Sequence, residues 1–409
     1  MKITKTMGAA ALGLGLAVAA QAQNPIYITG STAFRGQIFQ ALQTELGLTV
    51  QQGGTSGKNS FTFTGTITDA KSLGFPAAAT LPANNPVTVY ASFSGSAEGV
   101  QTILNNVVNN YLNVGTSSAG SFTHAGADFA FSDVAQNSTP YPTTKFATLP
   151  EIQTAADAAR HNGIPGTGVG VAPFTYAVNP DGATAGINNI TTRNFQNLFY
   201  NGYADLSYFV NTAPDATFVV AVGRYNLSGT RITAILDDDY SIINKDTLDQ
   251  YALSPNGTST PGLNNGDSAT PTGNQWVEVS DSGYFSGGNV GAALANSAGA
   301  GPAIGYIAWA DAQSKFGTTG AVPIKWNGQN PGSLGAWNIT GLENGSYTFW
   351  SYERLYENPA DKGTVYDSYG QALALGLQYE IVHASPQSAD IEANMKVYRS
   401  NDGADITPF

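Results

Sequence analysis

Residues 25–46, PIYITGSTAFRGQIFQALQTEL, change period at Gly30. Up to it the apolar side chains alternate as on a strand. Beyond it Phe34, Ile38, Phe39 and Leu42 recur at the spacing of one helix face. The same order of strand, tight turn and helix returns in VTVYASF, SGSAEG and VQTILNNVVNNYL (residues 87–112), and again in ATFVVAVGRYNLSGTRITAIL (residues 216–236). ADFAFSD is a further strand ending on Ser132 and Asp133, and GVGVAPFTYAVN (168–179) is a long apolar strand. ITTRNFQNLFYNGYADLSYF (190–209) reads as an aromatic helix and loop. GNVGAALANS is a short helix of small residues, AIGYIAWADA (303–312) an apolar strand, and DSYGQALALGLQYEI a helix. Strands alternating with helices predict an α/β protein with largely parallel sheets. Two polar stretches rich in Gly, Ser, Thr, Asn and Pro, at 51–87 with a hairpin around SFTFTGTIT and at 254–275, read as surface excursions.

At 409 residues the chain is too long for one ordinary core, so two domains with a cleft between them are expected. Lys and Arg number 17 against 29 Asp and Glu, which leaves no basic surface for nucleic acid or anionic lipid, and any anion site must be local. Charged residues make up only 11%, against about 25% in ordinary globular domains, and Gly, Ser, Thr and Asn fill the gap. Residues 1–22 carry Lys2 and Lys5, an apolar run from Met7 to Ala19 and then Ala20-Gln21-Ala22, the layout of a cleavable secretory signal. The run is shorter than the ~20 residues of a helical membrane span. With no cysteine there is neither disulfide nor lipid attachment through a thiol, so the expected product is a soluble periplasmic or secreted protein.

Ligands of α/β sheets bind beyond the carboxyl ends of strands, where loops enter helices. Four segments have that placement: Gly30-Ser31-Thr32-Ala33, Ser94-Gly95-Ser96, Ser132-Asp133, and Arg224 through Thr230. Free N–H groups at a helix start and the helix dipole favour an anion, hydroxyls add donors, and glycine admits close approach. Each Ser-Thr turn reads equally as an ordinary N-cap. Arg224 is more specific, because its guanidinium is a planar fork of donors that matches a tetrahedral oxyanion and keeps its charge. Ser228, Gly229 and Thr230 open a helix just beyond it.

Arg224-x-x-x-Ser228-Gly229-Thr230 resembles the Arg-x-Asp-x-Ser-Gly-Thr signature of the periplasmic phosphate-binding proteins of ABC phosphate transporters. TGSTAF, FSGSAEGV, FAFSDVA, GVGVAPFTYAVN, ITTRNFQNLFYNGYADL and AIGYIAWADA are similar to further landmarks of that family, in the same order over most of the mature chain. The resemblance implies a type II periplasmic-binding-protein fold. In that fold two α/β lobes, each built on a mostly parallel sheet flanked by helices, are joined by two crossing segments. Residues 23–177 and 310–409 would form lobe I, and residues 178–309 lobe II. It implies inorganic phosphate as ligand, held by Thr32, the Ala33 N–H, Ser96 and Asp133 from lobe I and by Arg224, Ser228, Gly229 and Thr230 from lobe II. Ser31, Arg35 and Ser94 are further candidates. An ABC permease of the inner membrane is the implied partner and a monomer the implied state, with no cofactor and no catalysis. Asp133 would accept a proton that phosphate offers and sulfate lacks, so the site would reject the isostere.

Three positions depart from the family pattern. Asn226 replaces the motif acid that steadies the arginine, Ala33 stands where phenylalanine is usual, and Glu98 stands near a customary glycine. Two other readings stay open. One is a secreted protein that keeps the scaffold for adhesion or matrix binding, motivated by the long polar insertions and by Asn226. The other is a hydrolase with a serine nucleophile, against which stands the lack of a histidine base in any motif. His124, His161 and His383 have no metal spacing, Asp237-Asp238-Asp239 reads as a solvated acidic turn, and Gly166-x-Gly168-x-Gly170 precedes a strand instead of opening a helix. Arg35 reads either as a ligand group or as an exposed helix arginine, and Asn226-Leu227-Ser228 is formally a glycosylation sequon.

Overall fold

The computed structural model describes residues 24–53, 58–67, 86–112, 122–152, 168–211, 217–240, 247–257, 263, 271–383 and 394–409. The secretory signal, His161, Gly166 and most of the polar stretch at 254–275 lie outside them.

The period changes in the sequence become strand-to-helix junctions. β1 (Asn24–Gly30) leads into α1 (Arg35–Gln40), and β2 (Thr49–Gln52) and β3 (Ser60–Thr66) form the polar excursion. β4 (Pro86–Phe93) leads into α2 (Ser96–Leu104), then a hairpin of β5 (Asn109–Leu112) and β6 (Phe122–Ala125), then β7 (Phe129–Ser132). β8 (Gly170–Val178), α3 (Pro180–Thr184), β9 (Asn189–Ile190), α4 (Thr192–Asn201) and β10 (Tyr203–Asp205) precede β11 (Phe218–Val222) and α5 (Gly229–Asp237). After β12 (Gln250–Ser254) and β13 (Gln275–Ser280) come α6 (Gly287–Ala295), β14 (Ala303–Ala308), α7 (Trp309–Lys315) and β15 (Val322–Trp326). The chain ends with the short β16 (Gly332–Ser333) and β17 (Ala336–Trp337), α8 (Ile339–Asn344), β18 (Trp350–Glu357), α9 (Val365–His383), β19 (Val397–Tyr398) and β20 (Thr407–Pro408).

Two elements differ from expectation. The helix after SGSAEG stops at Leu104 instead of running to Leu112, because Asn106 takes a positive φ of 49° and the β-branched Val107 and Val108 turn to solvent. AIGYIAWADA is strand only to Ala308, and Trp309 onward is helix.

The main sheet runs β10-β11-β14-β8-β18-β7-β1-β4-β3-β2, with β15 and β9 attached beside β8. In one half β7, β1 and β4 are parallel, with β3 and β2 antiparallel at the edge. In the other half β11 and β14 are parallel, with β10 antiparallel at the edge. β8 and β18 join the halves. Pro173 to Gly170 of β8 pair with Trp350 to Glu353 of β18, while the rest of β8 pairs with β14 and the rest of β18 with β7. Every residue of both strands is buried; β8 accordingly reads as a nearly continuous apolar run, whereas β18 carries Glu353, Arg354 and Glu357 into the interior. This is the architecture of two half-sheets flanked by helices and linked by two crossing segments. β15, although past residue 310, pairs with Tyr176 to Val178 of β8 along the edge opposite β14, and with β9.

The last residues tie the halves together on one side. Arg399 pairs with Asp237 at the end of α5 at 2.5 Å, donates to the Thr348 carbonyl and lies 5.1 Å over the Trp350 ring. Asp402 accepts from the Ala135 N–H at 2.6 Å and meets Arg354 of β18 at 3.3 Å. Asp237-Asp238-Asp239 is therefore no solvated turn. Asp237 is spent on Arg399, and Asp238 accepts from Trp326 Nε1 at 3.0 Å and from the Tyr176 hydroxyl, leaving only Asp239 outward.

Candidate functional site

The turn after β1 is held open for the neighbouring strand. Gly30 has φ of 110°, and a Cβ there would strike the Phe131 carbonyl, which accepts from the Ser31 N–H at 2.8 Å. Ser31 and Thr32 are buried. The Ala33 N–H donates to the Ser31 hydroxyl at 3.2 Å, and the Thr32 carbonyl accepts from Arg35. Arg35 is no exposed helix residue. It is buried and forms an ion pair with Asp311 of α7 at 2.5 Å.

Beyond β4 and β7 the loops meet the start of α5. Ser96 donates to Asp133 Oδ1 and accepts from the Asp133 N–H at 3.3 Å; Thr230 donates to Asp133 Oδ2 at 3.4 Å. Ser228 caps α5 by accepting from the Arg231 N–H at 3.3 Å. Gly229 faces the same carboxylate so closely that a Cβ would collide with Asp133 Oδ1 and Ser96 Oγ, hence glycine. Ser96, Asp133, Gly229 and Thr230 thus converge from opposite halves of the sheet. Burial pushes the Asp133 carboxyl up from its ordinary value, opposed by the Ser96 hydroxyl and the Arg224 charge.

Arg224 leaves β11 and is 2% exposed. Its backbone is pinned by the Tyr306 hydroxyl, which accepts from its N–H at 2.9 Å, and by Gln250 and Arg231, which donate to its carbonyl at 3.2 and 3.1 Å. Its Nε and Nη2 donate to the carbonyls of Tyr284 and Phe285 at 3.1 and 2.9 Å. Burial works against its charge, while Asp311 and Asp133 among its neighbours support it. Asn226, which stands at the motif-acid position, is exposed. Two main-chain carbonyls hold the Arg224 guanidinium, and Asp311 supplies carboxylate charge from another part of the chain.

The halves also bond to one another directly. The Tyr225 hydroxyl reaches the Ser94 carbonyl at 2.9 Å and the Glu98 carboxylate, and the Ala97 N–H of α2 donates to the Leu227 carbonyl at 3.1 Å. A Cβ on Gly95 would strike Tyr225 and Leu227, so this glycine admits the approach. Burial raises the Glu98 carboxyl, with Tyr225 opposing.

No family model and no curated protein matches the chain. Solved structures are similar to it at low identity. One is a phosphate ABC transporter substrate-binding protein with bound phosphate from Clostridium perfringens, at 10% identity over 90% of this chain and 99% of that one, TM-score 0.49. Another is an ABC-type phosphate transport receptor from Vibrio cholerae, at 11% identity over 88% and 98%, TM-score 0.43. A third is PstS from Borrelia burgdorferi, at 13% identity over 90% and 100%, TM-score 0.38. By description, the three are phosphate-system proteins. Among the described residues no helix is long and apolar enough to cross a membrane, and no cluster of His, Asp or Glu is arranged to hold a metal ion.

Sequence reasoning missed Asp311, the Tyr225–Glu98 contact and Glu353. Asp311 carried a faint signal, lying two residues past Trp309 where the apolar run of β14 ends. The other two arise only when distant segments are brought together.

Proposed function

We propose that the chain is an extracytoplasmic binding protein for inorganic phosphate, which it encloses between two lobes, residues 23–177 with 310–409 and residues 178–309, and presents to an ABC permease. The observation that carries this reading is the counter-ion account of the buried arginines. Arg35, Arg231, Arg354 and Arg399 each form an ion pair with an aspartate. Arg224 is as buried, yet among the described residues no carboxylate lies within ion-pair distance of it. A buried cation with no ion pair, only the longer-range charge of Asp311 and Asp133, costs several kcal/mol unless a ligand supplies the missing contact.

Around it stand the Ser96 and Thr230 hydroxyls and the start of α5, all donors, with the carboxylate of Asp133 among them. An acceptor in a nest of donors suits an oxyanion that still carries a proton. Phosphate and arsenate have one near neutral pH, and sulfate does not. Thr32, Ala33 and Ser228, with Ser31, Arg35 and Ser94 behind them, complete the proposed shell. The reading needs no chemical step. Calorimetry of the mature protein with phosphate and with sulfate tests it: heat with phosphate and none with sulfate is expected, and equal or absent heats for both would overturn it.

A further inference from the structure

Glu353 is fully buried in the crossing strand β18, and among the described residues neither of its carboxyl oxygens has a hydrogen-bond partner at ordinary geometry. The strand register explains its position. The last pair between β18 and β7 is Arg354 with Ser132, so one step further along both strands sets Glu353 across from Asp133. On its other side Glu353 pairs with Gly170 of β8, and Gly168 is packed so tightly on the Glu353 carbonyl that a Cβ would not fit. Among the described residues, β8 and the residue before it bring Val169, Gly170 and Val171 there and no charge.

The groups that act on Glu353 are Asp133 from the loop after β7, the Ser31 hydroxyl from the turn after β1, and Arg354 on its own strand. Arg354 is already engaged with Asp402 and Glu151, and Arg35 on α1 with Asp311. Asp133 by contrast has the Ser96 hydroxyl, Thr230 and the Arg224 charge, with Asp402 acting against it. Two adjacent carboxyls in a dry interior do not both carry charge, and the proton goes to the one with less support.

We infer that Glu353 is a specificity-determining residue of the Asp133 site, a neutral carboxylic acid that holds the proton the two acids share and so leaves Asp133 charged as the acceptor. The inference rests on the phosphate reading. It assigns the selectivity for a protonated oxyanion to a pair of acids instead of to Asp133 alone. It also gives the site an alkaline limit: once Glu353 ionises, its charge repels both Asp133 and the bound anion.

The test is phosphate affinity of the mature full-length protein, measured by calorimetry from neutral to strongly alkaline pH, for wild type and Glu353→Gln. Wild type is expected to lose affinity on the order of tenfold or more at the alkaline end, the effect of one added nearby charge. Glu353→Gln, which has no proton to lose, is expected to lack that fall. Should this variant not fold, Glu353→Met gives the same comparison with a side chain that is neither charged nor acidic. Parallel pH profiles for wild type and variant would overturn the inference while leaving the phosphate reading intact. A wild type that binds no phosphate at neutral pH would overturn both.

Discussion

Arg224 and Arg399 are equally hidden from water and are held in opposite ways. Arg399 is neutralised, with Nη1 and Nη2 on Asp237, Nη2 also on the Thr348 carbonyl, and its plane over Trp350. Arg224 makes two bonds to main-chain carbonyls, and its Nη1 has none among the described residues. Carbonyls orient a guanidinium without neutralising it. The difference teaches that burial of an arginine says little until its counter-ion is found. Where the counter-ion is built in, the residue joins structure to structure, and where it is not, the fold has left a charge for something else to meet.

The comparison breaks most visibly under substitution by methionine. Arg399→Met strands Asp237 as a buried charge and is expected to cost about 3–5 kcal/mol of stability, read as a lowered urea midpoint. Arg224→Met breaks no ion pair and relieves a buried charge, but it also removes the charge that supports Asp133, so without phosphate its midpoint should fall less than that of Arg399→Met. Its phosphate affinity should fall at least about tenfold, the loss of charge-assisted bonds of roughly 1.5–3 kcal/mol. Should Arg224→Met unfold the protein while Arg399→Met is tolerated, the assignment of roles is reversed.

Buried acids sharpen it next. Burial raises Asp238 from 3.8 to about 7, opposed by the Tyr176 and Trp326 hydrogen bonds, and raises Asp128 likewise to about 7. For groups raised on folding, the stability contribution is whole below the unfolded value near 3.8 and is lost as pH climbs to about 7. Thermal unfolding midpoints should therefore fall across that window. Asp238→Asn should flatten part of the fall, and an unchanged slope would show that Asp238 is charged in the folded protein. The smallest expected effect belongs to Tyr225→Phe, which removes the hydroxyl that reaches Ser94 and Glu98 across the halves. A loss of about 1 kcal/mol, a fewfold weaker phosphate binding with stability little altered, is expected by calorimetry.

The strand-to-helix junctions were legible because each carries its own period change within some twenty residues, and the Arg224 to Thr230 motif because it is contiguous. Helix length at Leu104 was not, since nothing in NNVVNN breaks the apolar spacing and only the backbone turn at Asn106 ends it. The burial of Asp237 and Asp238 was hidden because their partners, Arg399, Tyr176 and Trp326, are 62 or more residues away. The same holds for Asp311 beside Arg35, 276 residues apart, and for Glu353 beside Asp133, which only a strand register reveals. A sequence shows which side chains want a partner more readily than which partner they find.

The bonds from Leu227 to Ala97 and from Tyr225 to Ser94 have a consequence for rates. Because these loops already grip each other, the proposed phosphate site would admit its ligand only after those bonds let go, and capture would then run at the tempo of opening instead of at the tempo of collision. Once inside, the ligand leaves by the same slow door. A protein made this way trades quick sampling of its surroundings for long retention of what it catches.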